Sequence, residues 1–153
     1  MSTVEDRLAA LGISLPQPVS PVANYVPTVR SGELLYISGQ VSIDESGGVK
    51  GTVGVDLDLE KAQGAARLCG INLIAQMSAA LGGDLDRVKR VVKLGGFVQC
   101  GPDFYDIPKV VNGCSDLMVE AFGEAGRHAR SAVGVYRLPL GYAVEVDAVV
   151  EVQ

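Results

Sequence analysis

Between Asp58 and Leu81, small and apolar side chains recur at every third or fourth residue: Leu59, Ala62, Ala66, Cys69, Leu73, Gln76/Met77 and Ala80. That spacing puts them on one face of a single long helix. Asp58, or Asp56 just before it, can cap the start, and Gly82-Gly83 closes the end. A stripe so rich in alanine carries little bulk, so it suits close packing against a flat layer. A β-sheet is such a layer.

Strand composition appears in five further places. "ELLYISGQVSID" alternates well, with an interruption at Gly39, and leads through the turn chemistry of "DESGGVKG" into "GTVGV", which reads as a short strand. "DRVKRVVKLGGFVQC" is another, its Gly95-Gly96 pair suggesting a bulge. "RSAVGVYRL" and "YAVEVDAVVEV" close the chain as adjacent strands joined by a Pro-Leu-Gly turn. Between them and the third strand lies a second helix, "YDIPKVVNGCSDLMVEAFGEAG". Asp106 is its expected cap, Pro108 sits in its first turn, and Val111, Cys114/Ser115, Met118 and Phe122 form one face.

At the start, "TVEDRLAALG" reads as a short helix capped by Thr3 and ended by Gly12, and Pro16, Pro18, Pro21 and Pro27 enforce extended chain after it. The order predicts one α+β domain over 1–153: a lead-in at 1–20, then a core at 21–152 with two helices on one face of a mixed sheet. The other face then lacks cover. In a chain that is 48% hydrophobic, oligomerisation is the simplest way to supply it.

Several chemistries are excluded. A net charge of −5 argues against nucleic-acid binding, and the one basic cluster, Arg87, Lys89, Arg90 and Lys93, is interleaved with valines like a solvated strand face. No apolar run is long enough to span a membrane, and the acidic early residues do not suit a signal peptide, so a cytoplasmic location is expected. Cys69, Cys100 and Cys114 form no CxxC, and with a single histidine a zinc site is not expected; the cysteines read as small core residues. There is no phosphate-binding glycine loop and no GxSxG elbow, and His128 stands in no triad frame, so it reads as a surface or interface histidine.

What remains is a charge in an odd place. "HARSAVGVYRLP" brings Arg130 into a run that looks largely buried, and arginine cannot shed its charge. Either a protein carboxylate meets it or an anion arrives from solution. Glu145 interrupts the last strand, where alternation sets it and Asp147 on the face opposite Val144 and Val146. From the pattern alone Glu145 could neutralise Arg130, face water or take part in chemistry.

Two segments carry a family resemblance. "ARSAVGVYRLPLGYAVEVDAVVEV" resembles the closing signature of the Rid family (YjgF-like, also called endoribonuclease L-PSP-like), and "NYVPTVRSGELLYISGQVSID" resembles its opening, with a tyrosine before the first strand and Ser-Gly-Gln ending the second. The likeness runs from about residue 20 to 151. The leading helix and the longer "NGCSDLMVEAFGEAGRHAR" segment resemble a divergent subgroup.

The resemblance implies a chorismate-mutase-like fold and a homotrimer with clefts between subunits. It implies an imine or enamine deaminase that hydrolyses reactive 2-imino acids to 2-keto acids and ammonia, without metal or organic cofactor. Arg130 would bind the substrate carboxylate with two parallel hydrogen bonds. Glu145 would orient or deprotonate water, and the other family positions fall on Tyr25, Gly39 and Asn112. Where many members carry cysteine, this chain has Ala132, so only backbone could contribute there. Two other readings stay open: a non-catalytic trimer that binds small carboxylates or partner proteins, and a ribonuclease or translation inhibitor.

Overall fold

A computed structural model describes residues 3–153, and the small-residue helix lies flat on a sheet as its stripe requires. This helix, α2 (Leu59–Ala80), starts where the Asp58 carboxylate accepts the Lys61 N–H at 2.9 Å. Ala62, Ala65, Ala66, Cys69 and Leu73 are fully buried beneath it. Beside it runs α3 (Ile107–Phe122). The two helices touch through glycines: a methyl at Gly70 would sit 2.9 Å from Leu117 Cδ2, and one at Gly113 would press into the Gln63 carbonyl. Missing side chains thus set the spacing of the helix layer.

Under the helices lie β1 (Thr28–Ser31), β2 (Leu34–Val41), β3 (Val88–Gln99), β4 (Ala129–Val135) and β5 (Val144–Val152). Their spatial order is β1-β2-β5-β3-β4, antiparallel throughout except for the parallel β3–β4 pair. In β5 alternation is strict: Val144, Val146, Ala148, Val150 and Val152 are buried against the helices. Each such valine contributes about 1.5–3 kcal/mol by leaving water. Glu145, Asp147, Val149 and Glu151 fall on the opposite face. The lead-in helix α1 (Thr3–Ala10) buries Val4 and Leu8.

The expected α+β sandwich with two helices on one face of a mixed sheet is therefore what the chain forms. Six local expectations change. The last two strands are not neighbours, because β3 lies between β4 and β5. β4 is not buried either: it is an edge strand, and every second residue from Ala129 to Val133 is exposed. "GTVGV" forms only isolated bridges, Val53 with Leu57 and Cys100, beside the bridge of Lys50 to Tyr142 just before it.

Gly95-Gly96 marks no bulge; the ladder runs in register through both. Gly95 instead makes room for the Asp147 carboxylate opposite it and Gly96 for Val111 of α3. Finally, Asp106 stands at the start of α3 without capping it and pairs with Lys109 at 3.6 Å. Thr3 in turn lies inside α1, where the Asp86 carboxylate accepts the N–H groups of Thr3 and Val4 at 3.0 and 3.1 Å.

Among the described residues no layer covers the face away from the helices. Val29, Tyr36 and Val133 are 54%, 47% and 44% exposed there, with Phe97 and Val149 between them in the ladder.

The glycine contacts give a test with a discriminating sign. Glycine to alanine inside a helix ordinarily stabilises by roughly 1 kcal/mol. At Gly113 the added methyl has no room, so Gly113→Ala should lower stability by about 1–3 kcal/mol. The check is a urea unfolding midpoint that falls at unchanged slope.

Candidate functional site

Arg130, second in β4, lies directly opposite Leu94 of β3, a residue of the helix-side core, so its side chain rises toward α3. There Nη1 donates to Asn112 Oδ1 at 2.8 Å and to Ser115 Oγ at 3.0 Å, and Nη2 donates to the Pro108 carbonyl at 3.1 Å. α3 can offer all three because Pro108, Asn112 and Ser115 follow at helical spacing. Every partner is neutral, and among the described residues no carboxylate forms an ion pair with Arg130. A guanidinium has five N–H donors, so Nε–H and one Nη2–H are left over, enough for a two-pronged grip on an anion.

Glu145 faces the other way. Its carboxylate lies on the open face beneath Gly39, where a methyl would come within 2.7 Å of Oε2. Gly39 is free of Cβ at the point where the β2–β5 register shifts between Ile37 and Gln40. A cleft of about 350 Å³ opens here, lined by Tyr25, Ser38, Gly39, Leu140, Tyr142 and Glu145 among others. Leu140, on its rim, is 80% exposed and holds a left-handed backbone (φ 59°), a conformation leucine adopts only under constraint.

No hydrogen bond or ion pair to the Glu145 side chain forms among the described residues. Burial raises its proton affinity above that of an ordinary glutamate, and the neighbouring Asp147 carboxylate raises it further. Asp147 is itself pushed up by burial, against the pull of the Gly95 N–H and Lys93.

The residues expected at one site thus fall into two groups. Arg130, Asn112 and Ala132 lie on the helix side at the β4 edge, Ala132 packing its methyl against the core. Tyr25, Gly39 and Glu145 line the cleft on the open side. One chain does not bring the groups together, and the possibility that Glu145 neutralises Arg130 within the subunit is overturned by their placement on opposite faces of the sheet.

Sequence reasoning missed Ser115 and the role of His128. Ser115 bonds both Arg130 and, at 2.8 Å, His128 Nε2. The available signal was a pair of polar residues, Asn112 and Ser115, at i and i+3 on a largely apolar helix.

Comparison with known proteins follows the same outline. The family profile described as "YjgF/chorismate mutase-like, putative endoribonuclease" matches residues 5–151. Protein TCP17 of Trypanosoma cruzi is 52% identical over 97% of this chain and 93% of its own length. A 2-iminobutanoate/2-iminopropanoate deaminase of Dermatophagoides farinae is 27% identical over 92% of this chain and 95% of its own. Among solved structures, the protein Atu1372 of Agrobacterium tumefaciens, of unknown function, superimposes with a TM-score of 0.93 at 48% identity, covering 98% of this chain and 92% of that one.

The thiols stand apart from both groups of residues. Cys69 and Cys114 are fully buried, and burial pushes the Cys114 thiol up to about 12 and Cys69 well above its usual range. Cys100, half-buried, is raised by burial as well. Iodoacetamide at pH 8 should therefore leave Cys69 and Cys114 unmodified in the native protein and react slowly at Cys100. Mass spectrometry before and after denaturation would show it, and prompt native labelling of Cys114 would contradict the packing described.

Proposed function

The chain belongs to the YjgF/chorismate mutase-like (Rid) family, and on that premise we propose that it hydrolyses reactive 2-imino acids to 2-keto acids and ammonium in clefts between the subunits of a homotrimer. One observation carries the reading: Arg130 is gripped by three neutral acceptors and no acid, so its charge and two of its donors await an anion. A substrate carboxylate has the matching charge and planarity. The named activity of the Dermatophagoides farinae relative supports the same chemistry.

The assembly reading rests on the divided site. A ring of three copies, each presenting its Glu145 cleft to the β4 edge of the next, would cover the exposed Val29, Tyr36 and Val133 and complete each cleft.

In that cleft the reaction asks for positioning above all. Arg130 would hold the carboxylate and so fix the adjoining C=N carbon. Glu145 would take a proton from water as the oxygen bonds to that carbon and the C=N electron pair moves to nitrogen. With the imine nitrogen already protonated, Glu145 returns the proton to the amine nitrogen and the C–N bond breaks to release ammonia. The proton of the carbinol hydroxyl passes by way of Glu145 to that ammonia, leaving the keto acid and ammonium. The raised proton affinity of Glu145 suits a base working near neutral pH. No metal or organic cofactor enters.

A ribonuclease reading finds less support. The chain carries a net charge of −5, and both ring nitrogens of its one histidine are already hydrogen-bonded.

Single-turnover hydrolysis of freshly generated 2-iminobutanoate tests the proposal directly, beside calorimetry with 2-oxobutanoate and light scattering. Three chains per particle are expected. Arg130→Lys should weaken 2-oxobutanoate binding by roughly 10- to 100-fold, since one point charge replaces a two-pronged grip. Glu145→Gln should keep the affinity and cut turnover about 10²-fold.

In the wild type, turnover should fall on the acid side at a pH above the ordinary glutamate range, because protonation removes the base. Glu145→Gln removes that limb. A monomer would remove the intersubunit site. A glutamine variant with full turnover would remove the general-base role of Glu145 and leave Arg130 to work by orientation alone; binding without turnover in the wild type would leave a carboxylate-binding trimer.

A further inference from the structure

The anchor for the carboxylate is itself held by a one-way chain of hydrogen bonds. Ser115 Oγ lies 3.0 Å from Arg130 Nη1 and 2.8 Å from His128 Nε2, and His128 Nδ1 lies 2.6 Å from the Gly126 carbonyl. Chemistry fixes each direction. An arginine nitrogen can only donate, so Ser115 Oγ accepts from Arg130. A carbonyl oxygen can only accept, so the hydrogen is on Nδ1. In the neutral ring Nε2 is then an acceptor, and the Ser115 hydroxyl hydrogen fills it.

We infer that His128 and Ser115 are positioning residues for Arg130: the neutral imidazole turns the Ser115 hydroxyl so that its lone pair faces the guanidinium, and this sets the angle at which Arg130 offers its remaining donors. Asn112 takes one Nη1 hydrogen and Ser115 the other, so the guanidinium plane cannot swing about its own bond while both contacts hold. The inference rests on the proposed role of Arg130 as carboxylate anchor. It adds the device that keeps the anchor aimed.

The surroundings keep His128 in the form the device needs. Burial favours the neutral ring, the Gly126 carbonyl opposes it, and the Arg130 cation favours it again. Around the imidazole, α3 presents the uncharged Ser115, the turn at Gly123–Gly126 a carbonyl, and β4 the Arg130 charge. Among the described residues no carboxylate pairs with the ring, and the nearby Glu124 and Arg127 are joined to each other at 3.1 Å. Protonation would place a donor on Nε2, turn the Ser115 hydroxyl hydrogen off it, and set a second cation beside Arg130.

Because the chain has one histidine, nuclear magnetic resonance reads the device without ambiguity. In the trimer or any other assembled state, the imidazole nitrogen shifts should show the Nδ1–H tautomer at pH 7.5. The Arg130 Nη signals should be resolved by slow guanidinium rotation. Ser115→Ala should collapse those signals into one averaged line and weaken 2-oxobutanoate binding by about 10-fold, the order of one charge-assisted hydrogen bond. His128→Leu should do the same, whereas His128→Gln and Ser115→Thr, which keep an acceptor and a hydroxyl, should rescue both readouts.

Wild-type affinity should fall on the acid side as His128 charges, and His128→Gln should flatten that limb. An Nε2–H tautomer, or an Arg130 that rotates no faster in Ser115→Ala, overturns the inference whether or not any ligand binds. If the signals behave as expected and 2-oxobutanoate binds nowhere, the positioning stands and the imine reading fails instead. Thermal melts of each variant confirm that the fold is intact.

Discussion

The helix layer packs on one side of the sheet, its alanines, cysteines and glycines interspersed with the fully buried Leu73, Met77, Leu117 and Met118. It does so here through methyl-sized contacts, with Gly70 and Gly113 letting α2 and α3 meet almost backbone to backbone. Among the described residues no further layer covers the other side. The strict alternation of β5 divides accordingly, valines inward and Glu145 and Asp147 outward. The one-sided helix cover is thus the reason that Glu145, Asp147, an aromatic rim and a cleft share a surface with the exposed Val29, Tyr36 and Val133.

Electrostatics on the two sides are complementary. At the β4 edge, a cation is solvated by a helix side chain, a hydroxyl and a carbonyl, with no anion to quench it. At the cleft, a half-buried carboxylate lacks any donor and sits beside a like charge. Each arrangement costs stability in isolation, because burial penalises an uncompensated charge. Such costs persist where surrounding structure imposes them, and functional sites are where they concentrate.

Some of this was legible in the chain and some was not. The period of α2 and the alternation of β5 are local, so residue spacing alone revealed them, and with them the face on which Glu145 lies. Alternation says which face a residue takes but not which strand lies beside it, and β3 between β4 and β5 was therefore hidden. Gly95 and Gly96 looked like a bulge because their reasons are distant in sequence: Asp147 across the ladder and Val111 on the helix above. The Ser115 link between His128 and Arg130 was hidden likewise, since it joins a helix to a strand 13 and 15 residues away. The family signature supplied Arg130, Tyr25, Gly39 and Asn112 as one set; the division of that set between two faces needed the fold.

That division carries a genetic consequence. With its halves on opposite faces, a chain in the proposed ring contributes its arginine to one cleft and its glutamate to another. A lesion in either half therefore spoils a single border of the chain that bears it and leaves the other sound. Two alleles, one defective in each half, can then co-assemble so that some clefts draw both halves from intact surfaces. Inheritance of defects at this site would follow the composition of the ring rather than the fate of any one copy.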